Sequence, residues 1–128
     1  MENDRFQRGL DKLTEYTNEE EVKNLVTSDK LKEIAPDLRR YIIEFGYGDI
    51  YTRPGLDNKQ RALITLSSLV TQGANPQMET HINRGLTAGL TSTEIVESIM
   101  QLIPYTGFPR VQNALMVAKK VLAQRDVQ

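Results

Sequence analysis

The amino-acid sequence predicts an all-α protein, and three observations support this. Apolar residues recur every three or four positions along most of the chain, which is the spacing of one helix face. Residues that favour helix ends stand where this periodicity starts and stops. No stretch shows the apolar–polar alternation of a half-buried strand. Since 128 residues fit one domain, we expect a single domain over residues 1–128, built as a bundle of six to eight short helices.

The start of the chain is predicted to form two amphipathic helices. The first spans residues 1–17, with Phe6, Leu10 and Leu13 on its buried face. The second spans residues 18–26, with Asn18 as its N-cap. Residues 28–34 are predicted to add a further turn or two of helix.

A third helix is predicted to begin at Pro36, because proline suits the first helical position. It is expected to end at the glycines of residues 46–48. The apolar spacing predicts a buried face composed of Leu38, Ile42 and Phe45, with Tyr41 beside it. Residues 48–58, which contain a Pro-Gly turn signal, are predicted to form the one long loop.

A tight helical hairpin is predicted in the middle of the chain. Its first helix opens at residue 57 or 58, is apolar over more than half of its circumference, and stops at Gly73. Its second helix is expected to have Asn75 as N-cap and Pro76 as first residue, and to close at Gly89. Because the connection is so short, the two helices should be antiparallel.

Two further helices are predicted at the end of the chain. Thr91 and Glu94 have the spacing of a capping box, which marks a helix start. Pro104 ends or kinks that helix, and a last helix follows Pro109.

Composition excludes several classes of function. The net charge is −1 and no basic tract is present, so we expect no nucleic-acid partner. No apolar run approaches the roughly 18 residues that a membrane span needs, so we expect no membrane partner. The polar N-terminus does not resemble a signal peptide, which makes a cytoplasmic location the expectation. The chain has no cysteine, which excludes disulfides, thiolate metal sites and thiol redox chemistry.

His81 is the only histidine of the chain. It lies beside the apolar stripe of its helix, in line with the small residues Gly85 and Ala88. One interpretation is a half-buried side chain that packs at a helix interface. The other is a general acid or base in a cleft, because only histidine has an ordinary pKa suited to proton transfer near neutral pH. No second histidine or helical Glu-x-x-His pattern accompanies it, so we expect no metal site.

Several other side chains are candidates for binding a small anion. Arginines suit carboxylates because the guanidinium fork pairs with both oxygens. For each residue the alternative is a surface ion pair or a solvated helix face. The candidates are Arg53, Arg61, Arg84, Tyr51, Tyr105 and Glu44.

Five segments together resemble the carboxymuconolactone decarboxylase family, to which the alkylhydroperoxidase D-like proteins also belong. The resemblance covers about residues 36–123, in the right order and spacing. The segments are GDIYTRPGL at residues 48–56, RALITL at 61–66, HINRG at 81–85, GLT with Glu94, Ile95 and Glu97 at 89–97, and YTGFP with Asn113 and Ala114 at 105–114.

This resemblance implies an all-α oligomer, typically a hexamer arranged as a trimer of dimers, with sites lined by helices. The peroxidase branch of the family carries a Cys-x-x-Cys-x-x-x-His motif. His81 matches its histidine, whereas the cysteine positions fall on Ala74 and Gln77. Ala62 replaces a glutamate that many members carry. The peroxiredoxin activity associated with the family is therefore not expected here, because it needs a thiolate.

The resemblance then implies a cofactor-free decarboxylase acting on carboxymuconolactone or a related carboxylated lactone of aromatic catabolism. In that interpretation His81 delivers a proton, the arginines bind carboxylates, and Tyr51 or Tyr105 binds the lactone oxygen. The alternative is a thiol-free member with another small-molecule role, and a mainly structural helical oligomer is a third hypothesis.

Overall fold

The computed structural model describes residues 3–126, and within them it contains helices and turns and no strand. The prediction of an all-α protein is therefore confirmed. The chain divides into two compact units, Met1–Leu56 and Asp57–Gln128. No helix in the described part of the chain is long and apolar enough to cross a membrane.

The described residues of the first unit form three α-helices and a π-helical segment. Its α-helices are α1, Asn3–Thr14, then α2, Glu19–Thr27, and the short α3, Leu38–Tyr41. The chain continues without a break from α3 into the π-helical segment, Ile42–Ile50. Asn18 caps α2 as predicted, since its side chain accepts from the amide of Glu21 at 2.8 Å.

Two glycines allow α1 and the π-helical segment to pack closely. A Cβ atom on Gly9 would collide with the carbonyl oxygen of Ile43, and one on Gly48 would lie 2.7 Å from the carbonyl oxygen of Arg5. Only glycine lets the two backbones approach this closely. Arg8 adds a hydrogen bond from its Nε to the oxygen of Gly48 at 2.9 Å.

Several features of this unit differ from those predicted. Residues 28–34 form turns rather than helix, and regular helix begins at Leu38 rather than at Pro36. The third helix does not stop at the glycines but continues to Ile50, because wider π-helical turns carry the chain through both of them.

The predicted buried face of that helix is also wrong. Ile43 and Tyr47 are its buried side chains. Three residues predicted to be buried are instead exposed, namely Leu38, Ile42 and Phe45. The segment carries apolar side chains on two faces, and α1 packs against the one that contains Ile43, so the spacing alone could not show which face is buried.

Five α-helices form the described part of the second unit, which reaches residue 126. They are α4, Asn58–Gln72, then α5, Asn75–Thr87, α6, Ser92–Met100, the short α7, Ile103–Thr106, and α8, Phe108–Gln124. Helices α4 and α5 pack on each other, and α8 packs on α4, α5 and α6.

Most of the predicted helix ends in this unit are confirmed. Gly73 ends α4 in the left-handed region, with φ of 71°. Thr91 and Glu94 form the predicted capping box of α6. One cap was predicted incorrectly: α5 begins at Asn75, so Ala74 occupies the N-cap position and provides no side-chain hydrogen bond.

The core of the second unit consists of one apolar stripe from each long helix. Ala62, Leu66 and Val70 supply the stripe of α4, whereas Ile64 on the same helix is exposed. The fully buried side chains of the other helices include Met78, Ile82, Ile95, Ile99, Val111 and Val121. Burial of these side chains is the main force that holds α5, and thus His81, in place.

Candidate active site

His81 lies on α5, and the buried face of that helix fixes the direction of its side chain. Met78, Ile82 and Gly85 recur at helical spacing and are buried. His81 and Arg84 are three residues apart on the adjacent face, and both are half-buried. The two side chains therefore lie at the border of the core rather than inside it.

Lys120 of α8 and Arg125, which directly follows α8, hold the opposite side of α5. Lys120 forms an ion pair with Glu79 at 3.0 Å. Arg125 donates to the carbonyl oxygen of Asn83 at 3.0 Å and to the hydroxyl of Thr87 at 3.4 Å. A cation near the C-terminal end of a helix is also favoured by the helix dipole. These contacts fix the rotation of α5 about its axis and so help to orient His81.

The close contact between α4 and α5 lies next to His81 and Arg84. A Cβ atom on Gly85 would lie 3.7 Å from the Cβ of Ala62, so the two helices approach closely at this point. Arg61 precedes Ala62 on α4, and its Nε atom has no contact with solvent. Three of the predicted site residues, His81, Arg84 and Arg61, thus belong to the same pair of packed helices.

The surroundings of His81 favour a neutral imidazole. Burial lowers the pKa of His81 from 6.5 to about 4, and the positive charge of Arg84 contributes in the same direction. At neutral pH the ring is therefore uncharged, with one nitrogen that donates a hydrogen bond and one that accepts. An anion bound beside Arg84 would offset its charge and favour the protonated ring.

Tyr105 lies on α7 and is 86% exposed. Pro104 is in the first turn of this short helix, and the hydroxyls of Thr106 and Thr71 are 3.0 Å apart. These two threonines tie α7 to the end of α4. The phenol of Tyr105 is thus presented to solvent at this position.

The first unit contains the remaining predicted residues. Glu44 is half-buried between Arg5 and Arg40, with oxygen–nitrogen distances of 4.0 and 3.8 Å. Arg53 is exposed in the segment that follows the π-helical turns.

Tyr51 belongs to a cluster of aromatic rings. Its ring centroid lies 5.5 Å from that of Tyr16 and 4.7 Å from that of Tyr47. Tyr51 therefore contributes packing to the first unit.

Sequence reasoning overlooked the residues that support these candidates. Lys120 is a cation on the last helix and Arg125 is a cation directly after it, a pattern that also describes an ordinary solvated face. Nothing in the sequence pairs them with Glu79 and Asn83, which are about 40 positions away. Among the described residues, no three histidine, aspartate or glutamate side chains lie close enough together to hold a metal ion.

Comparison with known proteins agrees with the family resemblance noted in the sequence. A sequence profile of the carboxymuconolactone decarboxylase family matches residues 36–120. An uncharacterized 15.0 kDa protein of Paracoccus denitrificans, from the nqo9–nqo10 intergenic region, is 35% identical over 98 residues, which are 75% of this chain and 73% of that protein.

Two relatives are named as decarboxylases. The 4-carboxymuconolactone decarboxylase of Acinetobacter baylyi is 28% identical over 117 residues, covering 91% of this chain and 86% of the relative. The nitrosuccinic acid decarboxylase of Metarhizium robertsii is 35% identical over 81 residues, covering 63% of this chain and 57% of the relative.

Proposed function

Because this chain belongs to the carboxymuconolactone decarboxylase family, we propose that it is a carboxy-lyase that needs no cofactor. Its substrate would be 4-carboxymuconolactone or a related small carboxylated lactone. The observation that carries the proposal is the pair of His81 and Arg84, which share the accessible border of a firmly packed helix. Two relatives named as decarboxylases support the same class of reaction.

The proposed chemistry uses the substrate as its own electron sink. The carboxylate that leaves is attached to a carbon conjugated with the lactone carbonyl. When the bond to the carboxylate breaks, its electron pair moves into that conjugated system and forms a dienolate, and CO2 departs. A proton must then be added at carbon. The enzyme therefore has to bind carboxylates, stabilise the dienolate oxygen and deliver one proton.

We assign carboxylate binding to Arg84 and Arg61. Each guanidinium can donate two parallel hydrogen bonds to one carboxylate, which fixes the substrate in a single orientation. Arg84 is one turn from His81, so a carboxylate that it holds would place the lactone ring near the imidazole. Arg61 is on the facing helix, next to Ala62, where α4 approaches Gly85 of α5 closely.

We assign proton delivery to His81. In the free protein the ring is neutral, because burial and Arg84 hold its pKa at about 4. A substrate with two carboxylates would offset the charge of Arg84 and raise that pKa, so that the imidazole takes up a proton when substrate binds. The protonated ring can then donate to the dienolate carbon as a general acid.

Tyr105 would donate a hydrogen bond to the lactone oxygen, because it belongs to the same unit as His81. The roles predicted for Tyr51, Arg53 and Glu44 of the first unit stay predictions from the sequence. The resemblance to the family further suggests a cytoplasmic enzyme of aromatic catabolism that assembles as a homohexamer.

Two other functions remain as alternatives to the lactone decarboxylase. Nitrosuccinic acid carries a nitro group that can accept the electron pair left by CO2, so a relative named for that substrate favours the same site with a different electron sink. A thiol-free member with another small-molecule role is the second alternative. A peroxidase is the least compatible function, because the chain has no cysteine.

Release of CO2 by the purified protein tests the proposal. The substrates to compare are 4-carboxymuconolactone, nitrosuccinate, and a lactone without the ring carboxylate as a matched control. We expect 4-carboxymuconolactone to be turned over, which is measured as a decrease in its absorbance. We expect no turnover of the control lactone. No turnover of either carboxylated substrate would contradict the assignment as a decarboxylase.

A further inference from the structure

We propose that the exposed apolar face of α3 and the first π-helical turn is the surface on which a second copy of this chain docks. This face consists of Leu38, Tyr41, Ile42 and Phe45. The inference rests on the proposed assembly into oligomers and is independent of the proposed reaction.

The four side chains share one helix face and are all open to solvent. They occupy positions i, i+3, i+4 and i+7, which is the spacing of a single apolar stripe. Tyr41 and Phe45 are 56% and 58% exposed, and Ile42 is 46% exposed. Several large apolar side chains exposed on one helix face favour an interaction site.

The same segment is already packed on its other side. Ile43 and Tyr47 are buried, and Ile43 lies against Gly9 of α1. A helix that is apolar on two opposite faces is expected to be covered on both of them. The contact with α1 covers one face and leaves the other without a partner in the described part of the first unit.

Two more exposed apolar side chains precede α3 in the chain. Ile34 is 82% exposed, and Leu31 is also exposed. Each partner of a stable interface buries ~800 Å², so the contact would extend beyond the four side chains of the face.

The edge of the face carries both charges that a self-complementary contact needs. Arg40 and Glu44 flank Tyr41 and are four residues apart, with 3.8 Å between their nearest charged atoms. In a twofold contact the same patch meets itself, so Arg40 of one copy can face Glu44 of the other while the apolar centres meet.

The face contains exposed side chains that project from it, and it also borders a surface depression. A depression of about 500 Å³ is lined by Arg5, Arg40, Tyr41, Glu44 and Phe45. The exposed aliphatic side chains of Leu38 and Ile42 are on the same face and can fill the depression of a second copy. Arg40 and Tyr41, with 5.3 Å from the guanidinium carbon to the ring centre, are of residue types that are enriched at interfaces.

The charge pattern favours a second copy over a membrane surface. A helix that lies on a membrane carries mainly lysine and arginine on its polar side. Here two arginines, Arg39 and Arg40, lie between Asp37 and Glu44 in the sequence, so the local charge is close to balanced. The face therefore has no electrostatic preference for an anionic bilayer.

The test is sedimentation equilibrium of the full chain across a range of concentrations. We expect the wild type to weigh at least twice as much as one chain. Phe45→Arg should raise the dissociation constant at least ~30-fold, as expected when a buried aromatic anchor is lost. Met116→Arg, at an exposed apolar residue of α8, is the matched control and should change it much less.

A charge reversal provides a second test that does not threaten folding. Arg40→Glu should weaken association about tenfold, and the double variant Arg40→Glu with Glu44→Arg should restore most of it. A wild type that is monomeric at all concentrations would overturn both the assembly and the surface. An oligomer that neither Phe45→Arg nor Arg40→Glu weakens would overturn the surface alone, and CO2 release by the wild type reports on the reaction separately.

Discussion

At the scale of single residues, His81 has a side chain that can gain or lose a proton, and it lies on a helix that packing holds in place. Its helix is packed on one side by Met78 and Ile82 and tied on another by Arg125. Burial and the charge of Arg84 keep the imidazole neutral in the free protein, with a pKa of about 4. The ring can therefore respond to the charge of a bound anion, which is the property that the proposed mechanism requires.

The lowered pKa predicts how stability depends on pH. Since His81 has a pKa of 6.5 when unfolded and about 4 when folded, the unfolded chain binds more protons between these values. The free energy of unfolding should then fall by up to about 3 kcal/mol as the pH drops through this window. Urea titrations of the wild type and His81→Gln check this. If both lose the same stability between pH 6.5 and 4, the lowered pKa is refuted.

Arg84→Gln separates the two causes of that pKa. Because His81 is the only histidine, its ring proton resonance gives the titration directly by NMR. We expect the pKa of His81 to rise in Arg84→Gln but to stay below 6.5, since burial is the larger cause. An unchanged pKa would show that Arg84 has no electrostatic effect on the imidazole.

At the scale of helices, the tight connection between α4 and α5 depends on Gly73. Its φ of 71° is a conformation that other residues adopt at a cost, and the guanidinium of Arg110 occupies the space that a Cβ would need. Gly73→Ala should lower the free energy of unfolding by about 1–2 kcal/mol. The control is Gly55→Ala, where a Cβ meets nothing within 4 Å, and a similar loss there would contradict this explanation.

The helices also show what sequence reasoning can and cannot predict. Local signals were sufficient where a cap or a glycine decides the structure, as at Asn18, Gly73 and Thr91. They failed where packing between distant segments decides it. The close approach of Gly9 to Ile43 accompanies the π-helical turns, and no local pattern in residues 42–50 predicts them.

The candidate site shows the same limit. His81 could be selected from the sequence because it is the only histidine and is beside an apolar stripe. The contact between Ala62 and Gly85, which places Arg61 next to the same helix pair, joins positions 23 residues apart and depends on the fold. The lowered pKa of His81 depends on burial, which the periodicity of one helix cannot supply.

At the scale of the whole molecule, ligand binding should couple to stability. A ligand that binds only the folded state stabilises it by about 2.7 kcal/mol at one hundred times its dissociation constant. We expect small dicarboxylates to raise the melting temperature of the wild type, and to raise that of Arg84→Gln much less. Equal shifts in both proteins would remove Arg84 from the anion site.

Turnover of 4-carboxymuconolactone by the wild type and His81→Gln, in samples matched for sedimentation behaviour, tests the central claim most directly. The account predicts measurable kcat for the wild type and a loss of at least ~100-fold in His81→Gln, because the dienolate then lacks its proton donor. Wild-type turnover by a correctly assembled His81→Gln would contradict it and leave His81 as a packing residue.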